Sequence, residues 1–426
     1  MTGSTSPATP SVASALGGFR VVDFTHFIAG PFCSMMLGDL GADVIKIENA
    51  DAGGDSMRAF EPRLEGESAA FLWTNRNKRS ITLNLANADA RKIAAELIAK
   101  ADVLVENFSA KVMSQFGLDY ESMSKINPRL VYCSISAYGR EGSLADRTGL
   151  DPVVQAESGF MGLNGDEESG PLRTGPSVMD MSTGMMASNA ILAALVSRAS
   201  TGKGQRVGVA LFDVAVTMLG FHAMNFLASR KVPRRFGNNS LDTAPTGVFQ
   251  ASDGPIYLVA SNDKLFRRLV TVAFERPDLA ELPDYATNSS RIAHRKQLFT
   301  EINSILGRAS RAHWLTKLRA ASVPAGEVRE LDEAMSSDEV RQRKLVSEIA
   351  HPKAGTVPNI ASPLTLWGTP IVAPRAAPML GEHTRQVLAE LGRSDEQMAA
   401  LAKSGVLGKS PQPDSSPGKT WMGGKE

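Results

Sequence analysis

Between residues 19 and 136, short β-branched runs alternate with helix-sized segments, and this alternation constrains the fold more than any other feature of the chain. FRVVDFT opens the series at Phe19. After it come Pro31, suited to the first turn of a helix, and Gly41, suited to a left-handed stop, before DVIKIE resumes an apolar strand at Asp43. The strand, helix, strand unit then recurs: SITLNL at residues 80–85, an Ala-rich helical stretch at residues 89–100, DVLVEN at residues 102–107 and LVYCSIS at residues 130–136. Strands at this spacing pair in parallel and need helices on both faces. The expectation is an α/β fold built on a large parallel-sheet domain whose ligands bind beyond the carboxyl ends of the strands. Those ends carry Thr25 to Gly30, Glu48 to Asp51, and Asn107 with Phe108.

The pattern changes at residues 231–241, where KVPRRFGNNSL is basic, rich in Gly and Asn, and aperiodic, as a linker is. GVFQASDGPIYLVA then gives two strands around an Asp253-Gly254 turn. Helical periodicity follows near residues 263–273, 290–306 and 311–321, with a strand at PAGEVRE and a short helix at residues 332–335. HPKAGTVPNIASPLTLWGTP reads as irregular return chain and residues 381–392 as one amphipathic helix. The expected organisation is therefore a large domain over residues 1–230, a smaller α+β domain over residues 231–345, a return segment over residues 346–408 that completes the large domain, and a flexible tail over residues 409–426.

Charge and motifs remove several function classes. The 46 basic side chains balance 45 acidic ones, so no global field draws nucleic acid or a membrane surface, and an anionic ligand must be held locally. Cys33 and Cys133 lie in apolar surroundings, as reduced buried thiols of a cytoplasmic protein do. Residues 1–16 lack the basic start and apolar core of a signal peptide, and no stretch has membrane-spanning length. The first strand is followed by Thr25-His-Phe-Ile-Ala-Gly-Pro31, not by a dinucleotide fingerprint, and no phosphate-cradling loop, Cys-x-x-Cys, His-Glu-x-x-His or Gly-x-Ser-x-Gly is present. The six histidines are scattered, so no metal site is expected; His26 differs in lying at a strand's carboxyl end.

One carboxylate remains to be explained. In GPSVMDMSTGMMASNAILAAL, residues 175–195, Asp180 lies just ahead of an expected helix with Ser182 and Thr183 as cap candidates and Gly202 as its stop. Gly184, Ala187, Ser188 and Ala190 give that helix little side chain, so other backbone or a ligand can come close. An acid at such a place is either a complement to the helix dipole or an ionised nucleophile able to attack an activated acyl group without a general base. Both readings expect an anionic Asp180. Lys78, Arg79, Arg58 and Arg147 are local cations that could hold a polyphosphate or simply face solvent, and Phe108 is either core or a cover for a planar base.

The chain resembles the class III CoA-transferases. The resemblance is carried by VVDFTHFIAGPFCSMMLGDLGADVIKIE, NRNKRSITLNL, ADVLVENF, INPRLVYCSISAYG, RTGLDPVVQAESGFMGLNG, MDMSTGMMASNAILAAL, TGKGQRVGVALFD, APTGVFQASDG, VPAGEVRELDEAM, HPKAGTVP and LGEHT, in order from about Gly18 to Gly392. It implies a Rossmann-like large domain from both chain ends, a small domain between, and two ring-shaped subunits interlocked as a homodimer. It also implies that Asp180 is the nucleophile and passes through an aspartyl anhydride and an aspartyl-CoA thioester. Coenzyme A and acyl-CoA are then substrates rather than permanent cofactors, and the partner substrate is a carboxylic acid, with succinyl-CoA among the possible donors. For CoA the resemblance points to Ala29, Leu83 and Leu85 in the strand, Asn107 and Phe108 beside adenine, and Arg147 near phosphate. Gln115 and Asn49 stand where relatives carry arginines, which leaves phosphate contacts to Arg147, Arg79 or another subunit. Ile28 and the missing glycine run in residues 238–262 argue against oxalate as the acceptor.

Two alternatives share the scaffold. The racemase branch of the family resembles Gly-His-Asp where this chain has Gly149-Leu150-Asp151, and leucine moves no proton, so a racemase would need His26 or Glu157 as its second base. A non-catalytic CoA-binding protein is the other, and the intact surroundings of Asp180 argue against it.

Overall fold

The computed structural model describes residues 14–408; the tail expected at residues 409–426, and all but the last three of residues 1–16, lie outside them. The chain divides into two compact units. The larger takes the chain up to Phe160, Thr174–Met224 and the chain from Arg341 onward; the smaller takes Met161–Arg173 and Asn225–Val340.

The larger unit is a mixed α/β fold around six parallel strands: β1 (Arg20–Asp23), β2 (Asp43–Glu48), β3 (Lys78–Thr82), β4 (Val103–Glu106), β5 (Val131–Ser136) and β6 (Arg206–Ala210). Their spatial order is β6-β5-β4-β1-β2-β3. This is a doubly wound order, and it reverses between β1 and β4, where such sheets open a crevice at their carboxyl ends. Side chains alternate between two cores. Val22, Ile45 and Leu104 pack with Ile93 and Leu97 of helix α2 (Ala88–Ala99), while Val21, Val44 and Val103 pack with Cys33 and Leu37 of helix α1 (Ala29–Asp39). Cys33 and Cys133 are buried free thiols, and burial pushes both well above the usual thiol range.

Several boundaries differ from the sequence reading. β3 begins at Lys78 and ends at Thr82, because Lys78 and Arg79 are strand residues whose charges are met by Asp23 and Asp43. Leu83 and Leu85 therefore follow the strand instead of lying in it. The stretch from His351, read as irregular, closes a hairpin of Val346–His351 with Gly355–Ile360, and a capping box at Ser394 starts a further helix, Asp395–Lys403. The apolar run after β6 forms two helices, Leu211–Met218 and Gly220–Ser229, broken where Gly220 takes a left-handed conformation. No single helix among the described residues is long and apolar enough to cross a membrane.

The smaller unit is built on an antiparallel sheet of β7 (Thr246–Ala251), β8 (Gly254–Val259) and β9 (Ala325–Glu327). Phe249, Ile256 and Leu258 pack with Leu298, Ile302 and Leu318 from helices Arg295–Leu306 and Arg311–Ala320.

Candidate active site

Helix α4 spans Val178–Thr201, 24 residues, and so begins two residues before Asp180. Asp180 lies inside its first turn, and Ser182 and Thr183, expected as caps, are interior residues. Ser177 occupies the N-cap position without making a side-chain cap bond. The cap comes from elsewhere in the chain: Oδ2 of Asp151, the first residue of the short helix α3 (Asp151–Glu157), accepts the amides of Met179 at 2.7 Å and Asp180 at 3.1 Å. The C-terminal expectation is met, with Gly202 at φ 72° and its amide returning to the Arg198 carbonyl.

Small residues on α4 let it approach α1 closely. A Cβ on Gly184 would stand 2.7 Å from the Ala29 carbonyl oxygen, so the two helices touch backbone to backbone there. Asp180 precedes Gly184 by four residues, one turn nearer the start of α4 on the same face. The N-terminus of α1 has no side-chain cap and no acid in its first turn, which leaves its first amides for another acceptor.

The electrostatic expectation for Asp180 is corrected. Burial pushes its carboxyl up, and Asp151 beside it pushes further, to about 7. The helix dipole favours the anion by only about 0.3–1 kcal/mol and does not reverse this. Near neutrality the group is therefore divided between acid and carboxylate.

The loop after β1 is fixed at the point where strand order reverses. Asn107 Oδ1 accepts the His26 amide at 2.9 Å, and Asn107 Nδ2 donates to the His26 carbonyl at 2.8 Å. The Phe27 amide donates to Asp55 at 3.1 Å, and Phe27 takes φ 64°, a conformation that a bulky side chain adopts only under constraint. Lys46 donates to the Thr25 carbonyl at 2.6 Å and pairs with Asp55 at 2.9 Å. Beneath it Lys78 pairs with Asp23 at 3.0 Å. Burial would raise Asp23, but Lys78 and Lys46 outweigh it and hold the carboxyl far below its usual range. Burial keeps His26 below the usual imidazole value, so the ring is neutral at pH 7.

The CoA residues implied by the resemblance fall into three places. Asn107, Phe108 and Arg147 line one cavity of about 550 Å³ together with Ser136 and Leu150. Phe108 also lines a narrow niche with Leu83, Leu85, His26 and Asn49. Ala29 and Asp180 are not among the residues lining either; Ala29 belongs to the α1–α4 contact. Of the candidate phosphate ligands, Arg79 is held by Asp43 and Glu390, Lys78 by Asp23 and Arg58 by Glu48, and all three cations are largely buried. Arg147 stays half-exposed, paired with Glu157 and stacked on Tyr138 at 4.5 Å. Glu157 is thereby held below the usual carboxyl range, chiefly by Tyr138 and Arg147, and makes a poor base.

Gln155, Arg140 and the capping role of Asp151 escaped the sequence reading. Asp151 and Gln155 open a helix whose local pattern shows only an acid before Pro152. Arg140 donates to Glu106 at 2.9 Å and to the Phe108 carbonyl at 2.6 Å and so sets the Phe108 loop. Its position in a Gly-Arg-Glu-Gly turn gave no such signal.

The model of CoA-transferase family III matches residues 16–384. A succinate–glutarate CoA-transferase of Agrobacterium fabrum is 37% identical over 389 residues, covering 90% of this chain and 97% of that protein. A succinyl-CoA:glutarate CoA-transferase of Mus musculus is 36% identical over 394 residues, covering 92% and 90%. Among solved structures, a CAIB/BAIF family protein from Brucella suis superposes with a TM-score of 0.82 at 35% identity over 89% of this chain and 100% of that one.

Proposed function

The chain belongs to CoA-transferase family III and is a CoA-transferase, and we propose that it moves CoA from succinyl-CoA to a dicarboxylic acid of about five carbons through Asp180. The observation that carries the catalytic part is the setting of Asp180: a largely buried carboxyl raised to about 7, in the first turn of α4, one turn from the point where Gly184 meets the Ala29 backbone. A carboxylate freed from water and from hydrogen bonds is a stronger nucleophile than an exposed one.

In this reading the Asp180 carboxylate attacks the succinyl carbonyl and expels CoA thiolate, leaving a mixed anhydride. The thiolate attacks the aspartyl carbonyl and expels succinate, giving aspartyl-CoA thioester. The acceptor carboxylate attacks the same carbon, releasing thiolate and forming a second anhydride. Thiolate then attacks the acceptor acyl group and restores Asp180. Acyl activation is conserved throughout, and no nucleotide is consumed. Amides of Ala29 and Gly30 are the donors we assign to the oxyanions, since α1 begins with its first turn uncapped.

CoA is assigned to the crevice beyond β1 and β4, with Phe108 against the adenine, Asn107, Leu83, Leu85 and Ala29 along its path, and Arg147 at phosphate. The larger unit is read as Rossmann-like on its strand order. The active form is assigned as an interlocked homodimer. In support, Val196, Phe221 and Met224 of the larger unit are 74%, 64% and 64% exposed in the single chain, an apolar surface that a partner would cover.

The experiment is an acceptor panel. Succinyl-CoA is mixed with glutarate, oxalate, malate, carnitine or no acid, and the CoA thioesters are resolved by mass spectrometry. Glutaryl-CoA as the dominant product supports the reading. Turnover only with a monocarboxylate, or with none, overturns it.

A further inference from the structure

Asp180 is reached through residues 174–180, and both ends of that segment are held by one short helix. Gln155 Oε1 accepts the Thr174 amide at 3.0 Å, and Gln155 Nε2 donates to Asp151 Oδ1 at 2.6 Å. Asp151 Oδ2 accepts the amides of Met179 and Asp180. Asp151 and Gln155 are one turn apart on α3, 4% and 0% exposed. The residues leading into α3, Gly149 and Leu150, line the cavity shared with Asn107, Phe108 and Arg147. The side chain that fixes the Asp180 backbone is thus next in sequence to the wall of that cavity.

A helix of this length needs a cap, but not a charged one. Ser177 already stands at the N-cap position, and a serine or asparagine would satisfy the same amides at similar benefit. A buried carboxylate beside another carboxyl conflicts with Asp180, and local conflicts of this kind gather at functional sites. The other charges on elements packed against α4 are paired or, like Asp213 across a cavity from Ser182, do not contribute to the raised Asp180 carboxyl. Asp39 pairs with Arg76, Arg198 with Asp102 and Glu157 with Arg147; Asp213 and Arg206 lie on Leu211–Met218 and β6, and neither acts on Asp180.

Taking Asp180 as the acylated group, a premise that rests on the function proposed above, we infer that Asp151, supported by Gln155, is the positioning residue of the acylation step. Asp151 holds the Asp180 backbone in the first turn of α4, and its charge keeps the Asp180 carboxylate reactive. Loss of the charge makes Asp180 a weaker base and nucleophile. Loss of the relay lets the segment drift while leaving the charge in place.

The test is single-turnover trapping of the aspartyl adduct. Full-length protein is mixed with succinyl-CoA across pH 5–9, quenched with hydroxylamine and read by intact mass, for wild type, Asp151→Asn, Asp151→Glu and Gln155→Ala. Asp151→Asn should lower the limiting acylation rate about 10- to 100-fold and move the acid limb to lower pH by up to about one unit. Asp151→Glu should keep the limb near that of wild type. Gln155→Ala should lower the rate without moving the limb, and CoA affinity should stay within about threefold in all three. If the wild type forms the adduct while Asp151→Asn leaves the limb in place, Asp151 is an ordinary cap and the inference fails. Should Asp151→Asn not fold, Gln155→Ala decides: an unchanged rate overturns the inference and a lowered rate on an unmoved limb sustains it. A wild type that forms no adduct refutes the reading of Asp180 itself, whatever the variants do.

Discussion

Asn107 and the backbone of His26 exchange two hydrogen bonds, at 2.9 and 2.8 Å, across the point where the strand order reverses. A side-chain amide satisfied at both ends by backbone has little left for a ligand, so the part these bonds give Asn107 is to hold the loop between β1 and α1. Removing it leaves the amide and carbonyl of a mostly buried loop unpaired, at about 1–3 kcal/mol.

Asn107→Ala should therefore lower kcat/KM for acyl-CoA by about 10- to 100-fold, with much of the loss in kcat. Asn107→Asp should not rescue it, because the second carboxylate oxygen then faces the His26 carbonyl. Steady-state kinetics separates this from loss of a ligand contact, which would raise KM alone.

Asp180→Ala should abolish transfer and the hydroxylamine-sensitive adduct while leaving CoA affinity within about threefold, since a nucleophile contributes to the reaction path more than to ground-state binding. Isothermal titration with CoA and a discontinuous thioester assay check the two halves. Substantial residual transfer would reject the assignment.

With the Asp180 carboxyl raised to about 7 in the free protein, kcat/KM for acyl-CoA should fall about tenfold per pH unit below that value and level off above it. The sign follows from the anion being the attacking form. A profile flat from pH 5 to 8 would mean that another group carries the first step.

Arg147 reaches the cavity already paired with Glu157. If it takes a CoA phosphate, the phosphate competes with Glu157 for it. Glu157→Gln should then tighten CoA binding by about two- to fivefold and Arg147→Ala should weaken it, both effects shrinking as salt is raised. Equal affinity in both variants at low salt would take Arg147 out of the phosphate site.

The parallel sheet was legible because apolar strands alternating with helices leave few other solutions. What stayed hidden depends on residues far apart in sequence. Lys78 and Arg79 look like surface or phosphate-binding cations until Asp23 of β1 and Asp43 of β2 meet them in the sheet. The start of α4 was misplaced because its cap, Asp151, lies on another helix and not among the preceding residues. The ionisation of Asp180 was misread for the same reason: position in a helix was visible, whereas burial and the adjacent carboxylate exist only in the folded chain. The Val346–His351 hairpin strand is mostly exposed and its partner contains Pro358, so neither had the alternation that marks a strand.

The same carboxyl should make the protein less stable as pH rises. Asp180 ionises near its ordinary value of 3.8 when unfolded and near 7 when folded, so the unfolded chain releases this proton first. Its contribution to stability is fully present below about pH 4 and is lost progressively as pH climbs through 7. Asp180→Asn keeps the shape and removes the titration, so it should match wild type at pH 5 more closely than at pH 8. At pH 8 it should be the more stable by on the order of 2–3 kcal/mol, allowing for the part of the group that solvent reaches. Urea unfolding of both proteins at the two pH values measures this, with the m-value checked for constancy. A difference that is the same at pH 5 and pH 8 would mean that Asp180 is not raised in the folded protein, and with it would go the electrostatic basis for its reactivity.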